Sequence, residues 1–208
     1  MLKGILLVLF GACSFGILST FVKIAYGEGY NLSDVTGTQA FFCLFLLWAA
    51  YFIQTKTKDK TATKPVIKTH WLKLVGAGAF SGMVSICYYQ CVKLVPNSVA
   101  IILLMQFVWI TVLLELLIYK KKPTGNQILA IILILSGTIA ASGYYESMST
   151  NLSLEGIIYG LIAATFYASF LMLNGKLGTE YPVLHKSALM ITGACIIVFI
   201  LLPPYFLI

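Results

Sequence analysis

Seven stretches of this chain, roughly 4–26, 35–54, 72–93, 98–119, 126–143, 154–175 and 183–202, are apolar over about the length a helix needs to cross a bilayer. A helix rises ~1.5 Å per residue, so about 20 apolar residues cover the ~30 Å of hydrocarbon. The expected fold class is therefore all-α, a polytopic membrane bundle of seven transmembrane helices. Composition agrees: 60% of residues are hydrophobic and 10% charged, against about 45–50% and about 25% in a soluble domain. These proportions exclude a disordered chain, a coiled coil, a disulfide-stapled module and almost any cytosolic enzyme.

Turn and breaker residues divide the runs. Gly27-Glu28-Gly29-Tyr30-Asn31 ends the first, Pro96-Asn97 separates the third from the fourth, and Pro123-Thr124-Gly125 opens the fifth. All six prolines fall in loops or at helix ends. Lys3 ahead of an apolar run, with Phe10-Gly11-Ala12-Cys13 following, resembles a signal peptide. The run continues well past Cys13 and six more follow, so a retained helix is expected.

The net charge of +7 is carried by lysines alone, since none of the fourteen basic residues is Arg. With the N-terminus in the cytoplasm, twelve of the fourteen lysines fall in or beside inner loops, and Lys23 and Lys93 are the exceptions. That is the positive-inside pattern. It predicts a multi-pass protein of the cell membrane, this chain's C-terminus outside, with lipid and no nucleic acid as partner. Cys13, Cys43, Cys87, Cys91 and Cys195 all lie in apolar runs and read as small buried hydrophobes. No metal site or cofactor is expected.

Laid over the first span at an offset of 152 residues, the sixth matches it. Gly4, Ile5, Leu9, Ala12 and Glu28 meet Gly156, Ile157, Leu161, Ala164 and Glu180. A five-helix unit has an odd number of spans, so a second copy starts on the opposite face. This is the inverted-repeat plan of many secondary transporters. The expected organisation is a first five-helix repeat over 1–145 and a partial second repeat over 153–208. Two complete copies would need roughly 300 residues at about 150 each, so this reading expects a truncated product lacking three helices.

The residues then resemble the drug/metabolite transporter superfamily, in its ten-helix branch with duplicated EamA domains. Gly11-Ala12-Cys13-Ser14-Phe15-Gly16 running on to Lys23 is similar to that family's Trp-Gly followed by Lys, with Phe15 in place of Trp. Tyr88-Tyr89-Gln90-Cys91-Val92-Lys93-Leu94-Val95-Pro96-Asn97-Ser98-Val99-Ala100 resembles its Tyr-rich third helix and tight turn. Gln127 through Gly137 to Ala141 looks like its fifth helix. Gln39 stands where Arg is common, Lys120-Lys121-Lys122-Pro123 replaces a Gly-Glu-basic ending, and Leu103–Leu114 lacks a mid-helix Pro. The resemblance implies a central cavity lined by both repeats and alternating access without ATP hydrolysis. It also implies a small metabolite, amino acid or drug as solute.

An ionisable group at the bilayer centre costs about 2.5–3.5 kcal/mol on insertion scales, which makes it a functional candidate. Glu115 is the acidic candidate, read either as a proton-coupling carboxylate or as an interfacial side chain held by lysines such as Lys120. Lys23 reads either as a partner for an anionic group or as a side chain snorkelling outward. Gln39, Tyr88, Tyr89, Gln90, Gln106 and Asn174 are uncharged polar groups at lipid depth and should face protein or a wet cavity. Met105, Gln106 and Trp109 share a helical face suited to a small-solute pocket. The expected substrate-binding set is thus Lys23, Gln39, Tyr88, Tyr89, Met105, Gln106, Trp109 and Asn174. The bland alternative for each is an interhelical hydrogen bond, worth about 0.6 kcal/mol on average.

Gly156, Gly160, Ala164 and Ala168 form one small-residue ladder, and Gly78 with Gly82 another. Packing within the chain is the default for such stripes, and a homodimer is the alternative. A seven-helix receptor or retinal protein fits neither the lysine bias nor the repeat. No catalytic cluster of His, Asp, Glu, Cys or Ser is apparent, which argues against an enzyme. Two functions remain: a permease or exporter moving a small solute, or a truncated, inactive or partner-dependent membrane subunit with no transport of its own.

Overall fold

A computed structural model describes residues 2–57, 70–120, 122–141 and 153–203. These residues form eight helices in chain order: α1 (Leu2–Gly27), α2 (Leu32–Thr57), α3 (Trp71–Leu94), α4 (Asn97–Met105), α5 (Phe107–Tyr119), α6 (Gly125–Ala141), α7 (Leu154–Lys176) and α8 (Val183–Leu201). The protein is an all-helical membrane bundle. The helices α1, α2, α3, α7 and α8, and α4 with α5 as one span, are each long and apolar enough to cross a bilayer, and α6 is a shorter apolar helix. The inferred stretch 142–143 of the fifth run lies outside the described residues.

Local chemistry sets the helix ends where the turn residues stand. The Asp34 carboxylate accepts the Asn31 backbone N–H at 2.8 Å, at the start of α2. Ser153 Oγ accepts from Gly156 N–H at the start of α7, satisfying a donor that has no partner within the helix. Pro96 and Pro182 precede α4 and α8. Between α7 and α8, Gly178 adopts a φ of +63°, and a side chain there would stand 2.8 Å from Leu74. Both conditions ask for glycine.

The fourth span departs from the continuous helix that the sequence suggests. It breaks at Gln106, where the backbone N–H turns to the Leu103 carbonyl at 3.2 Å. The Gln106 side chain then supplies the missing donor, its Nε2 bonding the Ile102 carbonyl at 3.0 Å. A polar side chain that enters its own helix ladder can interrupt it without proline, as Gln106 does here.

At the centre of the bundle is α3, packed along its length against α7 and α8. In turn, α2 packs on α8, and α4 and α5 pack on α7. The approach is close because small residues face backbone. A Cβ on Gly82 would sit 2.7 Å from the Ala194 carbonyl oxygen, and Cβ atoms on Gly78 and Gly193 would overlap the Met190 and Val75 backbones. Towards the end of α3, Gly156 meets Leu94 and Val95, and Gly160 meets Cys91 together with Leu103 of α4. Ala164 and Ala168 are buried against Ile110. Both small-residue ladders are thus used inside one chain.

The contacts also give helix directions. Lys23 of α1 meets Val95 at the end of α3, so α1 and α3 run parallel, as do α3 and α8. Gly156 at the start of α7 meets the end of α3, so α7 runs the other way. One end of the bundle therefore carries Pro96 and the other His185.

Candidate functional site

In the half of the bundle nearest Pro96, α1, α2 and α3 bring polar side chains together. Lys23 Nζ donates to the Val95 carbonyl at 3.0 Å, which caps the carbonyl end of α3 with a cation. One turn on, Tyr26 donates its hydroxyl to the Tyr89 carbonyl at 3.2 Å. The Tyr89 hydroxyl donates to Gln39 Oε1, and Ser19 and Tyr88 are joined through their hydroxyls. Tyr88 and Tyr89 are only 3% and 2% exposed. Their phenol rings fill the core while each hydroxyl keeps a partner, as burial of tyrosine requires.

Beside this cluster the parts of α1 and α2 nearest the Pro96 end stand apart. The groove between them has a volume of about 670 Å³, within the range of small-molecule sites. Leu18, Phe21, Val22, Ala25 and Val35 form apolar walls, and Tyr30, Asp34, Thr38 and Gln39 add polar groups. Gln39 also lines a second, smaller and more sheltered cavity of about 40 Å³ between α2, α3 and α8. One residue therefore borders both spaces.

Of the residues singled out from sequence, Lys23, Gln39, Tyr88 and Tyr89 come together here. Of these, Gln39 lines the groove itself while Lys23, Tyr88 and Tyr89 do not, and the others lie elsewhere. Gln106 accepts from Trp109 Nε1 at 2.8 Å while bonding its own helix, and Trp109 is 38% exposed. Met105 ends α4 beside that break. Asn174 lies near the far end of α7, where its backbone carbonyl accepts from Lys186 Nζ at 2.6 Å. Glu115 is half-buried on α5, four residues before that helix ends.

Several residues were missed by the sequence reading. Tyr26 follows Lys23 by three positions and shares its face, and Thr36 precedes Gln39 by three and shares its face. Those spacings were available, but a tyrosine near a helix end and a threonine inside one are too common to single out. At the His185 end a second cluster joins α2 to α8. Trp48 Nε1 donates to Thr192 at 3.1 Å, and Tyr51 stacks on His185 with ring centres 4.6 Å apart. Tyr181 meets the same imidazole edge-on. Among the described residues, no three His, Cys, Asp or Glu side chains gather as a metal site would require.

Residues 2–143 match the model of the EamA-like transporter family. The chain belongs to the EamA-like transporter family. Its members are transporters of small solutes rather than enzymes, and the bundle described above is a multi-pass membrane protein of that kind. No curated protein and no solved structure matches the chain.

Proposed function

We propose that this protein is a secondary transporter that moves a small solute across the cell membrane by alternating access, with the groove between α1 and α2 as the solute's entry. The observation that carries this reading is the groove of about 670 Å³ whose floor is Gln39, itself bonded to the buried Tyr89. Apolar walls with a few convergent polar groups suit a small organic molecule. Lys23, Tyr88 and Tyr89 are the supporting groups beneath it.

Alternating access needs one end closed while the other is open. Helices α2 and α8 are tied at the His185 end by Trp48–Thr192 and Tyr51–His185. At the Pro96 end α1 and α2 are parted by the groove. The lysine distribution supports a cytoplasmic His185 end, where Lys56, Lys73, Lys120, Lys176 and Lys186 lie. The match of Gly4 and Ile5 with Gly156 and Ile157 supports α7 and α8 as counterparts of α1 and α2 in an inverted repeat.

Purified protein in vesicles, given a panel of solutes with and without a proton gradient, tests this function. Saturable movement of at least one solute is expected, and no movement of any would overturn the proposal. Glu115 is the acidic side chain set deepest from a helix end among those described, and it is proposed as the coupling carboxylate. Glu115→Gln is expected to abolish the effect of the gradient on flux. Unchanged pH dependence in that variant assigns Glu115 an interfacial role instead.

A further inference from the structure

The small cavity bordered by Gln39 has a chemistry of its own. It lies where the middle of α3 and α8 meets the first half of α2, and its volume is about 40 Å³. Thr36, Gln39, Ser81 and Ser85 bring neutral hydrogen-bonding groups to its wall, and the remaining lining is small or apolar. Thr36 is 1% exposed, and its hydroxyl has no hydrogen-bond partner among the described residues. A buried hydroxyl left unpaired costs about 1–3 kcal/mol, so such groups are rarely left that way.

Size and charge together define what fits. A cavity holds a water once it offers about 10–15 Å³ to the probe and two to four polar partners. This one exceeds that size, yet it is too small for a whole metabolite. A hydroxyl or an amide group matches it. A charged group does not: the lining carries no ionised side chain, and an unpaired charge out of water is costly. The nearest carboxylate in the groove, Asp34, accepts from the Asn31 backbone, and Lys23 is turned to Val95.

Resting on the transport reading above, we propose that this cavity is a subsite for one neutral hydrogen-bonding group. Water occupies it until a hydroxyl or amide of the solute takes its place as the Tyr89–Gln39 bond opens. The solute class that follows is a small molecule with an uncharged polar head and an apolar remainder. The head reaches Thr36 past Gln39, and the remainder lies along Leu18, Phe21, Val22 and Val35.

The two occupants separate experimentally. Without solute, Thr36→Val removes the hydroxyl at nearly constant volume. It is expected to lower the melting temperature of the protein in nanodiscs, whereas Thr36→Ser retains it. An equal or higher melting temperature for Thr36→Val means a dry cavity and overturns the proposal. So does a melting temperature that rises when choline is replaced by sodium, since that marks a cation site. For the solute, saturation-transfer NMR compares hexanamide, hexylammonium and hexanoate against protein-free nanodiscs. Hexanamide is expected to bind, about five- to tenfold more weakly to Thr36→Val and unchanged to Thr36→Ser, as loss of one hydrogen bond implies. Preference for either charged probe, no binding of hexanamide, or indifference to Thr36→Val overturns the neutral-head assignment. Flux of other solutes in the vesicle assay would then leave the transport reading standing, whereas no flux of any solute removes both.

Discussion

The two sides of α3 are built on opposite principles. Towards α8, glycine lets backbones touch, with Gly78 on Met190, Gly82 on Ala194 and Gly193 on Val75, and towards α7 Gly160 takes the Cys91 side chain against its own backbone. Towards α1 and α2, side chains such as Val22 and Val35 pack on the tyrosines of α3, the hydrogen bonds come from the tips of long polar side chains, and a groove remains between α1 and α2. Within a bilayer, apolar burial gives no drive for helices to associate, so close van der Waals fit and hydrogen bonds must supply it. Backbone-to-backbone contact admits little adjustment. Hydrogen bonds at the ends of flexible side chains can open singly. The first side suits a fixed frame, the second a moving part.

The sharpest way to break this contrast is to thicken the frame by one methyl. Gly78→Ala drives a Cβ into the Met190 backbone, and a loss of about 3 kcal/mol or more is expected, read by unfolding in detergent. If the variant were as stable as the parent, α3 and α8 would not form a rigid seam. The moving part is tested at Tyr89→Phe, which deletes the donor to Gln39. With the other four cysteines replaced by alanine, Cys43 on the inner cavity should be alkylated roughly tenfold faster by a small water-soluble maleimide, the effect of releasing about one hydrogen bond. An unchanged rate would mean that Gln39 does not partition the two spaces.

Smaller effects sharpen the comparison further. Trp48→Phe keeps the ring but loses the bond to Thr192, at a cost of about 1 kcal/mol. A vesicle assay should show that loss as leak through the His185 end before it shows as unfolding. Gly16→Ala lies on α1, where an added Cβ meets nothing within 4 Å. Its stability change is expected to stay within about 0.5 kcal/mol in the same unfolding assay. Identical chemistry at Gly78 and Gly16 thus separates frame from edge.

Much of the fold was legible beforehand because its signals are local. Apolar run length, the Pro96 and Pro182 boundaries and the spacing of Gly156, Gly160, Ala164 and Ala168 each need only a short window. The break at Gln106 escaped because a glutamine inside an apolar run gives no local sign that its side chain will displace its own N–H from Ile102. The candidate site was legible in part. Tyr88, Tyr89, Gln39 and Lys23 stood out as polar groups at lipid depth, and the fold brings them together. Gln106 and Trp109 were singled out too, yet they bond to each other and to their own span, and Asn174 lies at the far end of α7. Polarity at depth says that a partner is needed, and it does not say which one.

What followed from the sequence alone is that this chain is a helical membrane bundle, because run length and charge distribution are measured against the bilayer. Which helices touch was decided only in three dimensions. These helices are apolar around most of their circumference, facing lipid on one side and protein on the other, so no stripe of hydrophobicity marks the inward face. Fit between surfaces made that choice. It set Gly78 against Met190, left α1 and α2 apart, and placed Gln39 on the wall of both the groove and the smaller cavity.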